Sequence, residues 1–380
     1  MRFQFQTPVF SEAATALRRD TRAFLDAERA AGAFTPRVNS WVHFDEAFTR
    51  RCGERGLIGI MLPPQYGGRS GSALERFVVH EEMLAAGAPT GMHWFADRQS
   101  GPLILHHGTE TARARILPQI VAGRCCIGVG LSEAGAGSDL AAVKTRAEKT
   151  PGGWKLYGSK LWTSHAHRAH FIIVLARTSP ATKEDRHAGL SHFIVDTTTP
   201  GVRPKPIVDL SGGRDFNEVE FDEAFVPDEY LVGQPGDGWK LVMSELAFER
   251  SGPDRVLSTY VLLAALVDRI AKAGADPVAV GRLVAHLATL RRMSAAVAGM
   301  LAGGLMPNVE AALVKDLGSA FEREIPEVAR QIVEAPPRPC SDDPYVVALA
   351  EAMLAAPSFT LRGGTREILR GIVARQLGLR

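Results

Sequence analysis

The sequence predicts an α+β multidomain protein, with an N-terminal helical domain over residues 1–124, a middle β-domain over 125–233 and a C-terminal helical bundle over 234–380. Three observations lead there. Apolar residues recur at helical spacing in the first third, shift to a period of two between Cys126 and Val232, and return to a period near 3.6 from Gly238 onward. The 380 residues are enough for two or three domains with a substantial core. At the first change of period lies Ile127–Leu140, IGVGLSEAGAGSDL, with four glycines, two alanines, two serines and two acids in fourteen residues.

Charge narrows the partners. Lys+Arg 44 against Asp+Glu 42 gives +2, so no nucleic acid and no membrane surface is expected. The start of the sequence lacks a basic segment followed by an apolar one, and the longest apolar run, Tyr260–Val267, is too short to span a bilayer. Cys52, Cys125, Cys126 and Cys340 form neither a C-x-x-C pair nor a disulfide framework, so a reducing, cytoplasmic setting is expected.

Taken in order, residues 11–30 read as an amphipathic helix capped by Ser11, with Ala14, Leu17, Phe24 and Leu25 on its apolar positions. Residues 42–56, 72–87 and 110–122 read as further helices, the first of them ending at Gly56. Val143–Lys149, a Pro151-Gly152-Gly153 turn and Trp154–Ser164 read as a β-hairpin. Residues 171–177, 190–196 and 217–227 read as short strands, and Thr182–Arg186 as an exposed loop. Trp239–Ser251, Pro253–Ala273, Pro277–Leu301 and Glu310–Glu334 then read as long helices, with a last one from Thr365, giving a bundle of four or five. Pro326 is expected to kink or split the fourth of these.

The small-residue stretch lets a bulky group lie on the backbone, with N–H groups and short hydroxyls as donors, and a phosphate-bearing cofactor suits it. Composition alone also allows an ordinary turn. Gly135-Ala136-Gly137 begins a Rossmann fingerprint, but Leu140 stands in place of the third glycine, and a strand follows where that fingerprint needs a helix. The Rossmann reading is therefore rejected.

LSEAGAGSDL followed by GSKLWTS resembles the flavin-binding core of the acyl-CoA dehydrogenase family, with Ala134 in place of a proline and Thr163-Ser164 in place of Ile-Thr. GLIGIMLPPQYGG at residues 56–68, and Asn217-Glu218-Val219 with Val226-Pro227, resemble two other family passages. The resemblance implies FAD as cofactor. By this likeness Trp162 packs against the flavin ring, and Ser164 donates near its reactive edge. The Leu131 backbone and Ser132 bond the pyrimidine edge, Gly137 and Ser138 lie near the pyrophosphate, and Val129 takes the place of a common aromatic contact. Outside its motif, Trp162 would read as a core tryptophan and Ser164 as a strand hydroxyl.

Family chemistry removes an α-proton from an acyl thioester while a β-hydride goes to the flavin, so a positioned carboxylate is needed. Many members carry it in a C-terminal Tyr-Glu-Gly-Thr motif. Here Arg362-Gly363-Gly364-Thr365 puts Gly363 at that position. A second branch places the glutamate in an L-x-x-E-R motif on the first bundle helix, and Leu246-Ala247-Phe248-Glu249-Arg250 resembles it. The resemblance therefore implies Glu249 as the base. Gly363 leaves room for it and offers an N–H to the thioester oxygen, Arg250 contacts the CoA portion, and Thr365 reaches a phosphate. Without the motif, Glu249 beside Arg250 would read as a solvated ion pair. Glu245 is the rival carboxylate, one turn earlier.

The family's R-x-x-F-G segment is absent, with Ala275–Arg282 in its place, and Glu334–Asp343 replaces its Gly-Gly-x-Gly loop. Both lie where family subunits share cofactor contacts, so the expected assembly is a homo- or hetero-oligomer, dimer or tetramer. The expected activity is conversion of an acyl-CoA to its 2-enoyl-CoA, with an electron-transfer flavoprotein or similar acceptor. A non-catalytic partner subunit, or a flavin-dependent monooxygenase on the same fold, is the alternative. His165, His167 and His170 are spaced poorly for one metal ion, and no metal is expected. The Cys125-Cys126 pair reads as buried packing.

Overall fold

The computed structural model describes residue 3, residues 5–273 and residues 277–379, leaving aside the side chains of 246–248. The first residues of the Ala275–Arg282 stretch thus lie outside the described residues. The helices are α1 (Glu12–Ala30), α2 (Glu46–Glu54), α3 (Ala73–Ala85), α4 (Gly91–Phe95), α5 (Gly101–His107), α6 (Glu110–Val121), α7 (Gly238–Ser251), α8 (Tyr260–Ala273), α9 (Val278–Ala302), α10 (Asn308–Ile332), α11 (Pro344–Phe359) and α12 (Arg366–Gln376). The strands are β1 (Ile127–Gly130), β2 (Arg146–Thr150), β3 (Gly153–Ser164), β4 (Phe171–Arg177), β5 (Leu190–Asp196), β6 (Val202–Ile207), β7 (Phe216–Pro227) and β8 (Leu231–Val232). Helices, then strands, then helices follow one another along the chain as expected.

Two compact units interleave in sequence: Phe44–Ser70 with Gly91–Glu245, and Met1–His43 with Gly71–Thr90 and Leu246–Arg380. The first holds all eight strands, in the order β6-β7-β3-β2-β4-β5-β8, with β1 parallel to β4. The hairpin β2–β3 forms as read, Thr150 facing Gly153 across the turn. Strands β4 and β5 are buried on nearly every residue, because neighbours cover both faces. Three strands escaped the sequence reading. β6 carries Pro204 and Pro206, which its place at the sheet edge tolerates. β1 is half glycine and β8 has two residues.

Beside this sheet, α2 starts only at Glu46, because the Asp45 carboxylate caps it by accepting from Phe48 N at 2.8 Å. The expected helix over 42–56 is shortened accordingly. Residues 91–107 are almost wholly helical, with a wide turn over Ala96–Ser100 between α4 and α5. Gly91, Gly101 and Pro102 hid this stretch.

In the second unit α1 is capped by Ser11 and α3 by a reciprocal Ser72–Glu75 box. The two helices pack together and are tied by charge: Arg18 reaches Glu81 and Glu82, Arg22 reaches Glu82, and Arg291 of α9 bonds Glu81 at 2.6 and 2.9 Å. Three bundle expectations need correction. Pro253–Arg255 is a separate 3-10 turn, since Gly252 is extended, and α8 begins only at Tyr260. α10 runs unbroken through Pro326, where burial of Phe321, Ile325 and Ala329 outweighs the one lost backbone bond. α11 was not anticipated, because its alanine-rich sequence has little polar face, and the described residues hold six C-terminal helices rather than four or five.

His192 on β5 is fully buried, and burial, with lesser contributions from Lys160 and His107, pushes its imidazole down to about 3. Below about pH 6.5 the unfolded chain takes up a proton that folded His192 refuses, so stability falls from there toward pH 3. A His192→Leu variant should lose less stability than the parent between about pH 7 and about pH 4.5, by on the order of 2 kcal/mol. Urea midpoints at the two pH values check this, and equal losses would contradict it.

Candidate active site

The small-residue loop leaves β1 and folds on itself at Glu133 and Ala136, whose backbones pair both ways at 3.0 and 3.1 Å. One lysine holds it. Lys160 on β3 is fully buried, and its Nζ donates to Leu131 O at 3.0 Å and Glu133 Oε1 at 2.7 Å. The Glu133 carboxylate also accepts from Lys144 N at 2.7 Å and Thr145 N at 2.9 Å. Burial pushes Lys160 down to about 8 against the pull of Glu133. Burial pushes Glu133 upward, but Lys160 and the two backbone donors hold it below the usual carboxylate range.

Leu131 O is taken by Lys160, and Ser132 O by the Leu161 N–H at 2.8 Å. A Cβ at Gly135 or Gly137 would meet nothing within 4 Å, and neither glycine has a positive φ. Nothing inside the chain requires glycine there, whereas a group lying on the backbone would. Gly137 and Ser138 are exposed, and Val129, Leu131, Ser132 and Ser164 are half-buried.

The β3–β7 register shifts between Lys160 and Thr163, and within that bulge Trp162 adopts φ 63°. A bulky residue there carries about 1–3 kcal/mol of strain, a cost that concentrates at functional positions. The shift turns the indole outward, 55% exposed, with Phe216 edge-on to it at 5.9 Å. Trp162 is thus no core tryptophan. An open ring and an unoccupied glycine surface fit a flavin.

The second unit holds the acid–base candidates. α7 ends at Ser251, Gly252 is extended, and Pro253–Arg255 turns back so that Arg255 Nε donates to Glu249 O at 2.9 Å. Arg255 Nη2 lies 3.5 Å from Glu249 Oε1. Gly363 has φ 65°, and a Cβ there would stand 3.2 Å from Glu249 Oε1 and 2.9 Å from Arg255 Nη2. Glu249 and Gly363 therefore meet, as the paired motifs require. Arg250 is buried, and its Nη2 would lie 3.5 Å from a Cβ on Gly364. Thr365 is the N-cap of α12.

Sequence reasoning missed the supports. Lys160, Glu133, Arg255 and Arg362 all sit inside or beside quoted motifs, and their only signal is a charge at a position the pattern buries. Arg362 bonds Asn39 Oδ1 at 2.7 Å, Ser258 Oγ at 2.8 Å and Glu322 Oε2 at 2.9 Å, and lies over the Trp41 and Phe359 rings. The three histidines take separate partners: His165 lies edge-on to Phe44, His167 bonds Asn217, and His170 accepts from Cys126 N. Among the described residues no group of three or more His, Cys, Asp or Glu is placed to hold a metal ion. Cys125 and Cys126 are buried, and burial pushes the Cys125 thiol up to about 12.

Comparison with known proteins assigns this arrangement. The profile described as acyl-CoA dehydrogenase, N-terminal domain, matches residues 11–124, and the middle-domain profile matches 128–224. Acyl-CoA dehydrogenase IpdE1 of Mycobacterium tuberculosis (strain ATCC 25618 / H37Rv) is 36% identical over 345 residues, covering 88% of this chain and 87% of that one. IpdE1 of Mycolicibacterium smegmatis (strain ATCC 700084 / mc(2)155) is 35% identical over 351 residues, covering 88% of each. Among solved structures, the Tcur3481-Tcur3483 steroid ACAD superposes with a TM-score of 0.84 at 26% identity over 99% of both chains. The ChsE4-ChsE5 complex from Mycobacterium tuberculosis does so at 0.81 and 25%, over 100% of both. The chain belongs to the acyl-CoA dehydrogenase family. It is a flavin oxidoreductase of the kind that dehydrogenates acyl-CoA thioesters, and members of the family bind FAD.

Replacing Lys160 by Met would leave the Glu133 carboxylate without its cation. Loss of one partner from a buried pair costs about 3–5 kcal/mol, and Glu133 is 11% exposed, which favours the lower end. The variant should show a lower urea midpoint and retain less 450 nm absorbance after gel filtration. A parent-like midpoint would contradict this account of the loop.

Proposed function

We propose that the protein catalyses FAD-dependent α,β-dehydrogenation of an acyl-CoA to the 2-enoyl-CoA, with Glu249 as the base. The observation that carries the reading is the meeting of the Glu249 carboxylate with Gly363, at the place where a side chain would otherwise intrude. Glu249 takes the α-proton on a carboxylate oxygen. The Gly363 N–H donates to the thioester carbonyl oxygen, where negative charge develops as the α-proton leaves. Arg250 holds the CoA portion. Leu131 and Ser132 orient the cofactor's pyrimidine edge, Trp162 and Ser164 its ring, and Gly137, Ser138 and Thr365 its phosphates, with Val129 alongside. FAD, when bound, would supply the acceptor for the β-hydride, with an electron-transfer flavoprotein or similar acceptor as the expected redox partner.

A polycyclic, steroid-type acyl group is the substrate class we favour, supported by the neighbour described as a steroid ACAD. The ChsE4-ChsE5 complex supports assembly with a second chain. With a second chain, a non-catalytic partner subunit is the alternative. Purification of the lone chain separates the two: a colourless, inactive protein that gains colour only with a partner supports the alternative.

Glu249→Gln should lower enoyl-CoA formation about 10²–10⁴-fold and leave the flavin absorbance unchanged. An artificial electron acceptor and a thioester panel measure it. Full activity in the variant would remove Glu249 from the mechanism.

A further inference from the structure

We propose that Arg255 is a positioning residue for the Glu249 carboxylate, anchoring the last turn of α7 through its Nε and steering the carboxylate toward Gly363 through its Nη2. The inference rests on the assignment of Glu249 as the base.

Three observations carry it. The Arg255 side chain is 3% exposed, so its placement is imposed by packing. Its two ends do different work, Nε on the Glu249 carbonyl at 2.9 Å and Nη2 at 3.5 Å from the Glu249 carboxylate. Both groups then crowd one point, since a single methyl at Gly363 would approach Arg255 Nη2 at 2.9 Å and Glu249 Oε1 at 3.2 Å.

The turn that carries Arg255 is itself fixed. A Cβ on Gly318 of α10 would sit 2.1 Å from Arg255 O, so that helix lies directly against the turn. Asp254, fully buried, places Oδ2 3.1 Å from Arg255 Nε. The Asp254 carbonyl accepts from Ser258 Oγ at 2.7 Å and Arg362 Nη2 at 3.2 Å. Arg362 immediately precedes Gly363, so the turn and the glycine are held by one guanidinium.

The length of the carboxylate contact matters. A close, two-pronged arginine pair would stabilise the ionised form strongly and occupy the lone pairs that must receive a proton. The Nη2 contact at 3.5 Å is long, and it orients the group without that close, two-pronged geometry. The charged groups packed around this pair are Arg250 on α7, Asp254 on the turn, Lys315 and Glu322 on α10, and Arg362 on the loop before α12.

The test uses the flavin-loaded protein with butyryl-CoA, isobutyryl-CoA, palmitoyl-CoA and a steroid propionyl-CoA, and an artificial acceptor. Arg255→Gln should lower kcat about 10- to 100-fold with KM nearly unchanged. Arg255→Lys should recover only part of kcat, because the charge returns without the fork. A parent-like kcat in Arg255→Gln would overturn the proposal. If neither Arg255 variant folds, Gly363→Ala decides, because it wedges a methyl between the two groups; a lowered kcat at parent-like KM supports the proposal and a parent-like kcat overturns it. Full activity of Glu249→Gln sinks the base assignment and this proposal together. An inactive Glu249→Gln beside an unaltered Arg255→Gln sinks this proposal alone. Turnover of none of the four thioesters overturns both.

Discussion

A single buried ammonium organises the small-residue loop of this protein. Lys160 points inward from β3 and ends on two groups of the small-residue loop, a carbonyl and a carboxylate. A loop so poor in side chains has almost no apolar surface with which to hold its own shape. Its conformation must come from polar contacts, and Glu133 concentrates them, with one ammonium and two backbone N–H groups on its carboxylate. The loop can then leave Gly135 and Gly137 bare toward solvent.

The base candidate follows the same logic with other chemistry. Glu249 lies in the last turn of a helix, where free carbonyls and fraying work against precision. Arg255 caps that end from the following turn, and Arg362 fastens the turn to the glycine loop. Nearby Lys315 donates to Ser319 Oγ and Phe359 O, while burial first, then Arg255 and Arg362, push its ammonium down to about 7. Both regions therefore rest on cations that packing surrounds and that give their bonds to backbone carbonyls as much as to acids.

Much of this was readable from the sequence. The changes of period marked where helices yield to strands, and the hairpin after the small-residue loop excluded a dinucleotide fold. Gly363 and Glu249 could be paired because each departure from the common pattern makes sense only with the other. What stayed hidden has physical causes. β6 carries prolines that only an edge position excuses, β1 trades side chains for close approach to β3, and α11 lacks the polar face that marks a surface helix. Buried charges were missed as a class. Lys160 and Arg362 look like solvated residues until a fold supplies partners from segments distant in sequence, and Arg255 until its turn folds back on α7.

The bulge in β3 has a consequence for how the chain can vary. In an uninterrupted strand Lys160, Trp162 and Ser164 would share one side. The register shift breaks that parity, sending the lysine into the sheet and the indole out of it. Buried strut and exposed ring, two residues apart, are thereby free to vary separately. The aromatic surface offered to a ligand can drift in size or polarity while the interior beneath it stays untouched. A family with many substrates and redox partners could diversify through such a decoupled position without rebuilding its scaffold.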